Sequence, residues 1–142
     1  MAYRIMPIYN IDRTVGEGEA NLPHDVKLVQ SLIAGLAALG PTPEAPARPP
    51  FPDGRFSAEL KQWIMAIQKF VASKNGGLRP DGKVHPIPLA RNPGDWQSKY
   101  SSGYSSTLYA LNVFLRDSHR DAHERIGREL YLKEMPLFPK EG

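Results

Sequence analysis

Apolar residues recur at helical spacing in three parts of the chain. After Pro23, residues Val26, Val29, Ile33, Leu36 and Ala37 fall on one face with Leu32 beside them, and Gly40-Pro41 ends the run. Pro23 and Asp25 suit its first turn, because proline loses no intrahelical N–H there and a carboxylate meets the positive end of the helix dipole. A second helix is predicted from a Ser57 N-cap to Asn75, where Gly76-Gly77 closes it. It buries Leu60, Ile64, Ile67 and Val71, carries Trp63 and Phe70 on the flanks of that stripe, and leaves Glu59, Lys61, Lys69 and Lys74 outside. The third run, capped by Thr107 or a preceding serine, keeps Leu108, Leu111, Leu115, Ala122, Ile126 and Leu130 at heptad-like spacing. It fits either one long helix or two helices broken near Ser118. Pro136 and Pro139 stop it, and Leu137 with Phe138 are expected to tuck back on the core.

The segments between these runs follow other rules. Tyr3 to Val15 alternates weakly through Tyr3, Ile5, Ile8 and Ile11, as a short strand or an extended arm would. Six prolines in the twelve residues Pro41 to Pro52 stiffen the chain toward polyproline II and bar a regular helix or central strand, which reads as a surface linker inside one domain. Asp53-Gly54-Arg55-Phe56 and Asp81-Gly82-Lys83-Val84 bracket the second helix. Each supplies a side-chain acceptor for nearby N–H groups and a residue free to take positive φ, so the chain turns sharply at both ends. His85 to Tyr104 is long for a structureless loop, and loops of that length are often functional or ordered by packing.

Composition narrows the function classes. A chain of 142 residues is large enough for one domain with a real core, and the lack of cysteine removes disulfides and thiol chemistry. Eighteen Lys and Arg against fifteen Asp and Glu leave a net charge of +3, with the basic residues dispersed apart from a C-terminal concentration, so nucleic-acid binding gains little support. No apolar run approaches the roughly 18 to 20 residues of a membrane span. Met1 to Asn10 does not look like a secretory signal, since Arg4 and Pro7 interrupt a stretch already too short. The expected location is cytoplasmic, unless a route without a cleaved signal exports the protein.

The order of motifs resembles the peptidoglycan-binding-domain-like family, a small three-helix module. The matching segments are Asp25-Val26-Lys27-Leu28-Val29-Gln30, the Asp53 to Phe56 turn, Ile64-Met65-Ala66-Ile67-Gln68, Gly77-Leu78 with Asp81-Gly82-Lys83-Val84, and Thr107-Leu108-Tyr109-Ala110-Leu111-Asn112. Val15-Gly16-Glu17-Gly18-Glu19-Ala20-Asn21 is similar to the lead of a branch associated with bacterial type VI secretion. The chain departs from the pattern where Ser57 replaces a glycine after the first turn, where the proline-rich insertion splits first helix from turn, and where about twenty residues precede the last helix. The resemblance implies a mainly α fold: one domain over residues 1–142, with a compact three-helix core at 15–112, long proline-rich and aromatic loop insertions, and a C-terminal helical extension at 113–142. It also implies a non-catalytic module that binds cell-wall peptidoglycan, with no cofactor.

Candidate chemistry is sparse. Trp96, Tyr100 and Tyr104, with Arg91 and Lys99, offer sugar-stacking faces and cations for stem-peptide carboxylates, although the simpler role for the same rings is to pin the insertion to the helices. His119 and His123, spaced i and i+4, would share a helical face and suggest zinc, with Asp121, Glu124 or His85 contributing. Arg120 stands where a metalloprotease signature needs glutamate, so two solvated histidines on a charged face is the simpler reading, and a zinc hydrolase ranks third. Arg116, Arg120, Arg125 and Arg128 interleave with Asp117, Asp121, Glu124 and Glu129, as a solvated face does. Glu17 and Glu19 lack an acid partner for glycan cleavage, Ser101 to Ser106 lacks a nucleophile elbow, and Gly16 and Gly18 are too few for a phosphate loop. The rival to wall binding is an adaptor that holds another protein, such as a secreted effector, through its long loops.

Overall fold

A computed structural model describes residues 8–75, 78–87 and 106–130. Among them the fold is mainly helical: α1 spans Pro23–Ala37, α2 Ala58–Asn75, α3 Thr107–Ser118 and α4 Arg120–Glu129, with no named strand. Ser57 caps α2, its hydroxyl accepting from the Leu60 N–H at 3.1 Å, and Ser106 caps α3, accepting from the Tyr109 N–H at 3.2 Å. The third apolar run is two helices. His119 makes the break, with φ of −153°; its N–H donates to the Leu115 carbonyl at 2.7 Å while its Nδ1 accepts from the Ala122 N–H at 3.1 Å. One residue thus closes α3 and caps α4.

The helices share one apolar core, with α1 packed on α3 and α4 and α3 packed on α4. Val26, Leu28, Val29, Leu32 and Ile33 of α1 are buried, so this helix is covered over more of its surface than a single stripe. From α2 come Leu60, Trp63, Ile64, Ala66, Ile67 and Val71, while Phe70 remains 41% exposed. The N-terminal segment from residue 8 is an extended arm: Ile8, Tyr9, Ile11 and Val15 are all buried, and among the described residues its sheet-like contact is an antiparallel bridge from Val15 to Val84. Tyr3 and Ile5 lie outside the described residues, as do Leu137 and Phe138. Gly127 of α4 sits so close to Tyr9 that a methyl group there would overlap the phenol.

Extended segments packed on helices have backbone donors and acceptors but no ladder, and a buried unpaired group is costly. Side-chain amides take the ladder's place here. The Asn112 Oδ1 accepts from the Tyr9 N–H at 2.8 Å while its Nδ2 donates to the Tyr9 carbonyl at 3.0 Å. Asn10 pairs in the same way with Ile87, and Asn21 with Gly16, all four bonds at 2.8 Å. Asp25 is 2% exposed and accepts from the N–H groups of Asp12 and Arg13, which ties the arm to the start of α1.

The two Asp-Gly turns are held by one repeated device. At the first, the Gln30 Nε2 donates to Asp53 Oδ1 at 2.9 Å and to the Arg55 carbonyl at 3.0 Å, while its Oε1 accepts from the Gly54 N–H at 2.8 Å. At the second, the Gln68 Nε2 donates to Asp81 Oδ1 at 3.0 Å and to the Lys83 carbonyl at 2.9 Å, and its Oε1 accepts from the Gly82 N–H at 2.9 Å. Gly54 and Gly82 have φ of 78° and 72°, left-handed values that favour glycine. Gln68 also donates to the Thr107 hydroxyl at 3.0 Å, joining α2, the turn and the start of α3.

Truncating these glutamines leaves backbone groups unpaired, each at about 1 to 3 kcal/mol when water cannot enter. We expect Gln68→Ala to cost about 3 kcal/mol and Gln30→Ala about 2 kcal/mol, because Gln68 also holds Thr107 and is only 1% exposed. Urea unfolding of both variants checks this; negligible losses would show that the corners hold themselves, and equal losses that the Thr107 bond adds nothing.

Candidate binding groove

The proline-rich segment forms the wall of a groove. Its Arg48 carbonyl accepts from the Trp63 indole N–H at 2.8 Å, Ala45 packs on the core, and the Phe51 carbonyl accepts from the Asp53 N–H at 2.8 Å. The Lys69–Glu44 pair, 3.7 Å apart and largely exposed, adds little. Between this wall, the first Asp-Gly corner and the start of α2 lies a groove of about 470 Å³, lined by Arg48, Phe51, Arg55, Phe56 and Glu59 among others. Proline on both sides of Phe51 leaves its ring no regular element to bury it, and it is 78% exposed. The N–H of Arg55 and the Gln30 amide hold the Asp53 carboxyl below the usual carboxylate range, so it stays charged and occupied by its own turn. The groove therefore offers an aromatic face and two guanidinium groups on a braced frame.

A second groove, of about 330 Å³, is more apolar. Leu36 and Leu39 at the end of α1, Ile67 and Phe70 of α2 and Phe114 of α3 line it. Leu39 is 44% exposed, and the Lys74 ammonium stands 5.8 Å from the centre of the Phe70 ring.

The candidate ligand residues Arg91, Trp96, Lys99, Tyr100 and Tyr104 lie outside the described residues. Arg48 and Phe51 are hidden in the sequence because the proline-rich segment reads as a linker, and Arg55 because it stands in an Asp-Gly turn that reads as structural. The signal was present in Arg48-Pro49-Pro50-Phe51-Pro52, where an apolar ring stands in a stretch that can form neither helix nor central strand.

The histidines are placed differently from the reading as a solvated pair. His119 precedes α4 and caps it, whereas His123 is fully buried, with Nε2 2.9 Å from Asn112 Oδ1 and its ring stacked on Tyr9 at 4.5 Å. They do not present a shared exposed face for zinc, and no group of three or more metal-ligating side chains occurs among the described residues. Arg116 also departs from the solvated face: it is 5% exposed and reaches out to the exposed Asp117, with Nη2 to Oδ1 at 3.1 Å. Burial, then the neighbouring Arg116 charge, push the His123 pKa down from 6.5 to about 4.

No family model, curated protein or solved structure matches the chain.

Because His123 stays neutral in the fold while its unfolded form protonates near 6.5, its contribution is complete above pH 6.5 and is lost as pH falls toward 4. The expected loss is at most about 3 kcal/mol across that window. The Asp53 and Asp81 carboxyls are also held low; at Asp81 burial, which raises the pKa, is outweighed by the hydrogen bonds from the Lys83 N–H and Gln68 together with the nearby His85, so both weaken the fold only at lower pH, once they protonate. Urea melts between pH 4 and 7 should show the His123 loss, and His123→Leu should flatten it; an unchanged slope in the variant would assign the loss elsewhere.

Proposed function

We propose that the chain is a non-catalytic module of the peptidoglycan-binding-like class that binds cell-wall glycan or its stem peptide. The observation that carries the reading is the repeated glutamine and Asp-Gly corner. Of the segments that suggested the family, Val29-Gln30 and Asp53 to Phe56 brace the corner beside the groove, and Ile67-Gln68 with Asp81 to Val84 repeat the device at the other corner. Phe51 offers a flat apolar face for a sugar ring, and Arg48 and Arg55 offer cations for carboxylates. Arg91, Trp96, Lys99, Tyr100 and Tyr104 remain candidate contacts on the same chemical grounds.

The second reading, an adaptor that holds a protein partner, draws on the apolar groove between α1, α2 and α3. In either case the described residues contain no helix long and apolar enough to cross a membrane.

Sedimentation with insoluble sacculi tests wall binding directly. The protein should pellet at low salt, and Phe51→Ala should lower retention several-fold without changing the melting temperature, since the ring is 78% exposed. Trp96→Ala should likewise lower retention at unchanged stability; a fall in stability instead would assign that ring to packing. Complete recovery of the native protein in the supernatant would overturn the wall-binding reading.

A further inference from the structure

The two Asp-Gly corners match in their internal bonds yet differ in what covers them. Equivalence extends beyond the glutamine clamps: Gly54 packs on Pro23 and Gly82 on Lys61, and each of these residues stands seven positions before its glutamine. Arg55 then corresponds to Lys83 and Phe56 to Val84.

At the second corner the chain covers itself. Val15 and Val84 exchange both backbone bonds, at 2.9 and 2.8 Å, and both side chains are fully buried. Gly16 lies directly on the Lys83 side chain, too close for a Cβ to fit without displacing it. Glu17 pairs with Lys61, and Glu19 with Lys83 at 3.5 Å. An extended acidic segment, Val15 to Glu19, therefore closes this corner by one backbone bridge, a glycine seated on a basic side chain, and two carboxylates.

The first corner repeats the clamp and places Arg55 where Lys83 stands, with Pro23 in place of Lys61 and a second cation, Arg48, supplied by the proline-rich segment; among the described residues no strand bridges to it. Among the described residues the Phe56 N–H and C=O have no hydrogen-bond partner, and Phe56 is only half-buried on the groove floor. Neither Arg48 nor Arg55 forms an ion pair among these residues. Glu59 stands at the α2 rim, and Asp53 Oδ1 is already bonded within its turn.

We propose that the groove at the first corner takes an extended acidic segment of a partner protein, which bridges to Phe56 through its backbone and places carboxylates on Arg55 and Arg48, as Val15 to Glu19 does at the second corner. A glycine after the bridging residue suits the approach to the Arg55 stem. The Phe51 ring shields one side of the bound segment. Main-chain bonds supply the seating and the charges supply selectivity, as in strand addition to an open edge. The proposal rests on the corner's geometry and shares Phe51, Arg48 and Arg55 with the wall-binding reading, so the two ligands would compete for this groove and the test separates them.

The probe is a synthetic peptide of the sequence Arg13 to Asn21, titrated into the full chain with amide shifts followed by NMR. Saturable shifts centred on Arg55 and Phe56 are expected. Replacing both peptide glutamates by glutamine, or Arg55→Glu in the protein, should weaken binding at least about tenfold at unchanged melting temperature. Methylating the peptide nitrogen of its valine, which removes the donor of the bridge, should weaken it comparably. The proposal is overturned by an absence of saturable shifts, by binding that survives Arg55→Glu, or by shifts centred on Val84 through exchange with the intrinsic segment. Soluble peptidoglycan fragments that shift Phe56 when the peptide does not would also overturn it while leaving wall binding intact; sacculus retention lost while the peptide still binds would do the reverse.

Discussion

A carboxamide side chain acting as a substitute peptide group is the interaction on which the rest of this structure depends. Asparagine and glutamine each present a donor and an acceptor in the arrangement of a backbone amide, so one side chain can satisfy both groups of a neighbouring segment. Among the described residues four helices leave the arm and the turns without a sheet to join, and the Val15–Val84 bridge serves only two residues. Asn10, Asn21, Gln30, Gln68 and Asn112 supply the missing pairs. Gln68 is the most consequential of them, because its bonds reach the second turn and the first residue of α3 together.

The buried amides also explain how a small helical core accommodates so much irregular chain. The arm from Ile8 to Val15 contributes apolar surface comparable in kind to a helix, but it is not held by any repeating backbone pattern. It is fastened at intervals by Asn112 and Asp25, with Tyr9 wedged between His123 and Gly127. Burial of Ile8, Tyr9 and Ile11 then drives the packing, while the polar bonds select one register for it.

Much of the helical frame was legible in the sequence, because period and capping are local properties. Ser57, Leu60, Ile64, Ile67 and Val71 announce α2, and the cap and stripe stand where the pattern puts them. The break at His119 was not decided by the pattern, since a histidine that closes one helix and caps the next leaves the apolar spacing intact. Burial of His123 and Arg116 was hidden for a related reason: both sit in a charged stretch, and only the packing of α4 against α1, α3 and the arm distinguishes them from their exposed neighbours. Apart from Asn21, which pairs with Gly16 five positions away, the clamps link residues 13 to 103 positions apart, so these glutamines and asparagines carry no local mark of their partners. The groove was missed because proline content describes a segment's conformation and says nothing of what braces it; the Trp63 bond to Arg48 does.

Each glutamine grips its corner by main-chain atoms and by one aspartate, and leaves the side chain two positions after that aspartate unused. Arg55 and Lys83 are therefore released from maintaining the turn that displays them. Such a corner separates heritable architecture from heritable specificity: the residue that meets a ligand can change by single substitutions while the frame's hydrogen bonds stay the same. A fold built this way can acquire new partners gradually, without passing through sequences that no longer fold.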